Sequence, residues 1–107
     1  MSNNELIEKI ALKVTRTGTD KINFKILEMI DNGGGNINNM VKDIGLTKVP
    51  INIRINELEK VGLVDRRRGT GIVVLTEFGK VFMGLIYDYQ DIVGYKINDI
   101  LKKMYDL

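Results

Sequence analysis

The chain contains neither cysteine nor histidine. Without cysteine there is no disulfide framework, no thiolate metal site and no thiol nucleophile. Without histidine the commonest general base and the commonest metal ligand are gone as well. The carboxylates do not fill the gap: Glu57 and Glu59 lie two apart in a helical segment and do not face each other. With no nucleophile, base or ligand constellation, the sequence reads as a non-enzyme with no cofactor and no metal. Long apolar runs are missing too. Nothing approaches the roughly 20 residues of a membrane span, and the opening MSNNELIEKI lacks a signal-peptide core. The expectation is a cytoplasmic protein with no membrane partner.

What remains is an ordinary globular composition of 44% apolar and 28% charged residues, which argues against disorder. A length of 107 residues suits one domain. The net charge is only +2, but residues 40–80 carry +3 and the remainder −1, and three adjacent arginines, Arg66, Arg67 and Arg68, supply that excess.

The stretch 47–64, TKVPINIRINELEKVGLV, organises the chain. Ile51, Ile55 and Leu58 fall at i, i+4 and i+7, within roughly 40° of one another on a helix stepping about 100° per residue. The opposite face carries Val49, Ile53, Asn56 and Lys60, flanked by Asn52, Glu57 and Arg54. Thr47 can cap this helix, Pro50 is tolerable in a first turn, and Gly62 suits the left-handed stop. One apolar stripe opposite a presented, donor-rich face fits an element that reads nucleic acid.

The other segments assemble around it. Leu6, Ile7, Ile10, Ala11 and Val14 mark a first amphipathic helix over residues 5–15, after a polar start at 1–4. The polar link TRTGTD at 15–20 is expected to break it, with Thr19 or Asp20 capping the next helix, 21–31. Asn32-Gly33-Gly34-Gly35 ends that helix as a plain turn, because no Gly-Lys-Ser/Thr follows and no strand precedes it. Ile37 can bridge briefly to a sheet, and Asn38 can cap a short helix over 39–44. Gly45-Leu46-Thr47 then forms the turn of a helix-turn-helix pattern. Residues 63–68 and 72–75 read as two strands about a three-residue Gly-Thr-Gly loop, a β-hairpin. Thr76 caps a last helix over 77–107, with Glu77 in its first turn. Its apolar stripe runs through Phe78, Phe82, Leu85, Tyr89, Ile92 and Val93, then Ile97, Ile100, Leu101 and Met104. Gly94 is where a bend or break is expected. So long a stripe has no partner inside a chain of this size. The tyrosines at 87, 89, 95 and 105 fit core and interface positions.

In order, helix, helix, turn-helix, hairpin and helix make a mainly α fold with a small β-hairpin. Residues 21–77, and most specifically INELEKVGLVDR (55–66) and LTEFGK (75–80), resemble the winged helix-turn-helix of the arsenic-repressor and multiple-antibiotic-resistance repressor families and of related small archaeal DNA-binding proteins. With the segments read from periodicity, the chain divides into an N-terminal helix (5–15), a winged helix-turn-helix core (20–76) and a C-terminal dimerisation helix (77–107). The resemblance implies a DNA-binding transcriptional regulator, with helix 47–61 in the major groove of double-stranded DNA and wing 63–75 on the backbone or minor groove. By that likeness Lys48, Val49, Pro50, Asn52, Ile53 and Asn56 face bases, Arg54 and Lys60 complete the helix's DNA-binding set, and Arg66, Arg67 and Arg68 are wing contacts. Val49 and Ile53 are apolar where these families often carry polar residues. An apolar side chain meets a thymine methyl and Asn an adenine edge, so the helix leans toward A·T contacts.

The long stripe is expected to pair two copies as a homodimer through Leu6, Ile10, Phe82, Leu85, Tyr89, Val93, Ile97, Ile100 and Met104. Two other readings stand beside this one: an architectural DNA-binding protein with little sequence preference, and a protein-interaction module docking through Val49 and Ile53. No sequence feature identifies a small-molecule effector.

Overall fold

The computed structural model describes residues 2–106. Met1, the first residue of the polar start, and Leu107, the end of the expected last helix, lie outside them. Helices α1 (Asn3–Thr19), α2 (Lys21–Asp31), α3 (Ile37–Ile44) and α4 (Lys48–Lys60) are followed by strands β1 (Val64–Arg67) and β2 (Ile72–Leu75) and by helix α5 (Glu77–Tyr105). The architecture is mainly helical, with one small antiparallel hairpin and a long C-terminal helix.

The core gathers around α4. Ile51, Ile55 and Leu58 are fully buried, together with Ile26 and Leu27 of α2, Met40 of α3, Leu63, Val64 and Val73 of the hairpin region, and Met83 of α5. The hairpin pairs Val64 with Leu75 and Arg67 with Ile72, which puts Val64, Arg66, Val73 and Leu75 on one face. The segment between α2 and α3 adds a third edge. Val73 N–H donates to Gly35 O (2.7 Å) and Ile37 N–H to Gly71 O (2.9 Å), around a single bridge between Asn36 and Ile72. The expected bridge at residue 37 is therefore present, one residue earlier. Gly35 lies so close to the Val73 carbonyl that a side chain there would collide with it.

Local chemistry explains the helix ends. Asp20 caps α2 by accepting from the Ile22 and Asn23 amides (3.2 Å each), and Thr76 caps α5 by accepting from Gly79 (2.9 Å). Gly62 sits at φ 79°, the left-handed conformation that lets the chain turn from α4 into β1. Thr47 stands at the start of α4 without a side-chain capping bond.

Several boundaries differ from the sequence expectation. Helix α1 is not broken over 15–20 but runs to Thr19, and it starts at Asn3 under a Ser2 cap rather than at residue 5. Thr15 and Thr19 hydroxyls donate back to the carbonyls of Ala11 (2.9 Å) and Thr15 (2.6 Å), so these polar side chains are satisfied inside the helix. Gly18 leaves room for the Phe82 ring of α5. Asn36, not Asn38, caps α3. Strand β1 begins at Val64 and ends at Arg67, leaving Arg68 in the loop. Helix α5 continues through Gly94 without a break, and the glycine faces open space.

Phe82, assigned from sequence to the interface stripe, is 7% exposed and belongs to the core. After Met83 no residue of α5 is buried; Ile86 and Tyr87 still lean on the core, and Tyr87 Oη donates to Asp31 of α2 (3.0 Å). The chain's radius of gyration is 16.0 Å, against about 13 Å for a compact domain of this length. The first turns of α1 and the part of α5 beyond Met83 both bury nothing and lie outside the core. No helix among the described residues is long and apolar enough to cross a membrane.

Candidate nucleic-acid interface

Helix α4 is held on three sides. Ile51, Ile55 and Leu58 form the buried stripe. One residue further round, Asn52, Asn56 and Glu59 repeat the same i, i+4, i+7 spacing as a polar row facing the hairpin. Arg66 of β1 lies along that row. Its Nη1 donates to Asn52 Oδ1 (2.8 Å), and its Nη2 donates to the Asn52 carbonyl (3.1 Å) and to Asn56 Oδ1 (2.7 Å). Nε stands 3.8 Å from the Glu59 carboxylate, which also accepts the Arg66 amide at 3.4 Å. Asn52 is then engaged at both amide atoms, since its Nδ2 donates one hydrogen back to the Lys48 carbonyl (2.8 Å).

On the other flank Arg54 and Glu57 reach α2. Arg54 Nη1 pairs with Asp20 at 2.8 Å. The buried Asn23 donates from Nδ2 to Thr17 O (3.0 Å) and to Glu57 Oε2 (3.2 Å). Asp20 thus caps α2 and anchors α4 together. The Asn23 amide bond, helped by the Arg54 charge and opposed by partial burial, holds its carboxyl below the usual aspartate value of 3.8.

These clasps leave one face of α4 free. Val49 is 69% and Ile53 53% exposed, and Lys48, Asn56 and Lys60 are exposed beside them. Pro50 is half-buried in the first turn. Asn56 sits on the boundary, its Oδ1 taken by Arg66 while its Nδ2 makes no hydrogen bond among the described residues. A polar cleft lined by Asn36, Asn38, Lys48, Asn52 and Thr70 joins this face to the tip of the hairpin.

The residues read from sequence as DNA-facing therefore divide. Lys48, Val49, Ile53, Asn56 and Lys60 converge on one exposed surface, with Arg67 and Arg68 exposed on the hairpin. Arg67 and Arg68 take part in no ion pair among the described residues. Arg54 is paired with Asp20 and braces α4 against α2. Arg66 is turned toward α4 by the strand's alternation, and its guanidinium donates to Asn52 and Asn56 instead of projecting from the hairpin. Asn52 is likewise engaged on both its amide atoms. Glu59 and Asp20 were not singled out from sequence as parts of the site. The 52/56/59 spacing was the available signal for the first, and nothing local signalled the second.

The apolar surface expected to join two copies is largely open. Leu6, Ile10, Leu85, Tyr89, Ile97 and Met104 are exposed, and Val93 and Ile100 are half-buried. No cluster of three or more potential ligands able to hold a metal ion occurs among the described residues. No protein-family model, curated protein or solved structure matches the chain.

Proposed function

We propose that the chain is a dimeric DNA-binding transcriptional regulator with a winged helix-turn-helix core, α4 being its recognition helix and the β1–β2 hairpin its wing. The observation that carries this reading is the asymmetry of α4. Three of its sides are fixed by packing and clasps, while the side with Lys48, Val49, Ile53 and Lys60 is left exposed, and the hairpin separately exposes Arg67 and Arg68, which form no ion pair among the described residues. A rigid helix with a free, cationic-edged face suits the major groove, and Arg67 and Arg68 suit phosphate.

A homodimer completes the reading. The C-terminal part of α5 and the start of α1 expose apolar side chains that a second copy would cover. Two recognition helices about 34 Å apart would then meet successive major grooves on one side of the duplex.

Anisotropy of a labelled duplex, measured across salt concentrations and against random-sequence competitor, tests the reading. Expected is binding whose log K falls linearly with log salt and a selected site preferred over random DNA by 10³-fold or more, as an order of magnitude. Salt-dependent binding without preference would favour the architectural reading. Absence of binding to any duplex would favour a protein partner, for which the exposed Val49 and Ile53 are the specific motive.

A further inference from the structure

The contacts of Arg66 bear on which base the proposed recognition helix reads. A guanidinium carries only donors. The atoms of Asn52 and Asn56 that approach it at 2.8 and 2.7 Å must therefore be the carbonyl oxygens, which fixes the orientation of both amides. Asn56 is left offering its Nδ2 hydrogens outward. The two-point contact of an Asn with adenine needs the opposite as well, an oxygen free to accept from N6 while Nδ2 donates to N7. With Oδ1 turned inward to the arginine, that pair is not on offer.

One turn earlier on the same face stands the exposed Ile53, three residues from Asn56 and so its neighbour on the helix surface. An outward amide donor beside an aliphatic side chain matches one base edge in the major groove. Thymine presents an acceptor, O4, next to a methyl group. Cytosine places an amino donor where O4 would be, and guanine offers acceptors without the methyl.

We propose that Arg66 is a positioning residue that sets the hydrogen-bonding polarity of the α4 face: by holding Asn56 with its oxygen inward it makes Ile53 and Asn56 a thymine-selective pair. The inference rests on the DNA-binding reading above and deepens it. Arg66 itself touches no base and no phosphate, because three of its donors and its charge are engaged by α4. Its function is to remove one of the two orientations that a free asparagine amide adopts.

The test uses the full chain and a duplex enriched by selection from random DNA. Wild-type protein should show thymine at one position of each half-site. Replacing that T·A pair by 5-methylcytosine·guanine keeps the methyl and exchanges the O4 acceptor for an amino donor, and should weaken binding about tenfold or more. Arg66→Ala frees the Asn56 amide to turn. It should narrow the gap to about threefold or less and admit adenine in a repeated selection. Asn56→Asp keeps an acceptor for Arg66 but has no outward donor, and should lose or invert the preference for thymine over 5-methylcytosine. The salt slope should be unchanged in Arg66→Ala, whereas each of Arg67→Ala and Arg68→Ala should flatten it by about 0.9 for every phosphate left unneutralised.

A flattened slope in Arg66→Ala with base preference intact would make Arg66 a phosphate contact and overturn the proposal. Unchanged preference and unchanged slope would leave Arg66 a brace only, and would overturn it equally. In both cases wild-type protein still selects a site, so the DNA-binding reading survives. Failure of wild-type protein to select any sequence removes that reading and this inference with it. Melting of each variant, followed by circular dichroism, separates loss of preference from loss of fold.

Discussion

Two helices of this chain solve the problem of helical stability in opposite ways. Helix α4 has 13 residues and buries Ile51, Ile55 and Leu58 completely, with polar clasps on both flanks. Helix α5 has 29 residues, yet its buried positions, Gly79, Phe82 and Met83, all lie in the first two turns. A helix of 13 residues is marginal alone in water, so α4 takes its stability and its orientation from the body of the protein. The later part of α5 carries its own helical pattern but, among the described residues, buries none of its side chains after Met83. On the proposed reading the first is an element held still to be read against DNA, and the second an element completed by another copy.

Substitutions that separate the two helices sharpen this contrast, and the largest effect belongs to the α4 core. Ile55→Ala should lower the unfolding free energy by about 2–5 kcal/mol, seen as a fall in the urea midpoint. If Ile55→Ala costs no more than a surface change, α4 is not held as described.

Next in size is the loss of the partner. The double change Leu85→Asp and Ile97→Asp should leave a folded monomer by sedimentation. It should also remove the apparent stability that association adds, about 2.7 kcal/mol at a concentration a hundredfold above Kd. A wild-type chain that sediments as a monomer at tens of micromolar would end the dimer account of α5.

The flank at Asp20 should matter less. Asp20→Ala removes the α2 cap and the Arg54 partner, at a cost of about 1 kcal/mol in the range of cap losses. Its pH dependence follows from the depressed carboxyl. The folded state binds this proton less readily than the unfolded one, so the contribution is complete above the ordinary pKa of 3.8 and is lost as pH falls through the lower folded value. Asp20→Asn should flatten that acid limb, measured by urea titrations from pH 5 to pH 2.

The sequence made part of this contrast legible. The 51/55/58 spacing set the rotation of α4, and with it the prediction that Val49 and Ile53 stay outside, which they do. Glycines at 33–35, 45 and 62 marked the turns, and Thr76 marked the start of α5. What escaped was decided between elements. The break expected at 15–20 rested on Gly18 and polar side chains, but the Phe82 ring needs that glycine and the threonines bond back to their own helix. Phe82 itself fitted the outer stripe by spacing alone, and only the crossing with α1 takes it inside. Periodicity reports which residues share a face, not what meets that face. Arg66 shows the same limit: alternation separated it from Arg67, but the partner row on α4 lies 7 to 14 residues away in sequence.

The smallest expected change in folding, joined to a large one in binding, bears on the central claim that the free face of α4 reads DNA. Ile53→Ser removes an exposed side chain, so its unfolding free energy should stay within about 0.5 kcal/mol of wild type. The decisive measurement is the Kd of Ile53→Ser on the selected duplex beside that of wild type. The account predicts a loss of about 1–3 kcal/mol in binding with melting unchanged. An unaltered Kd on that duplex would contradict it and leave the exposed face of α4 to some other partner.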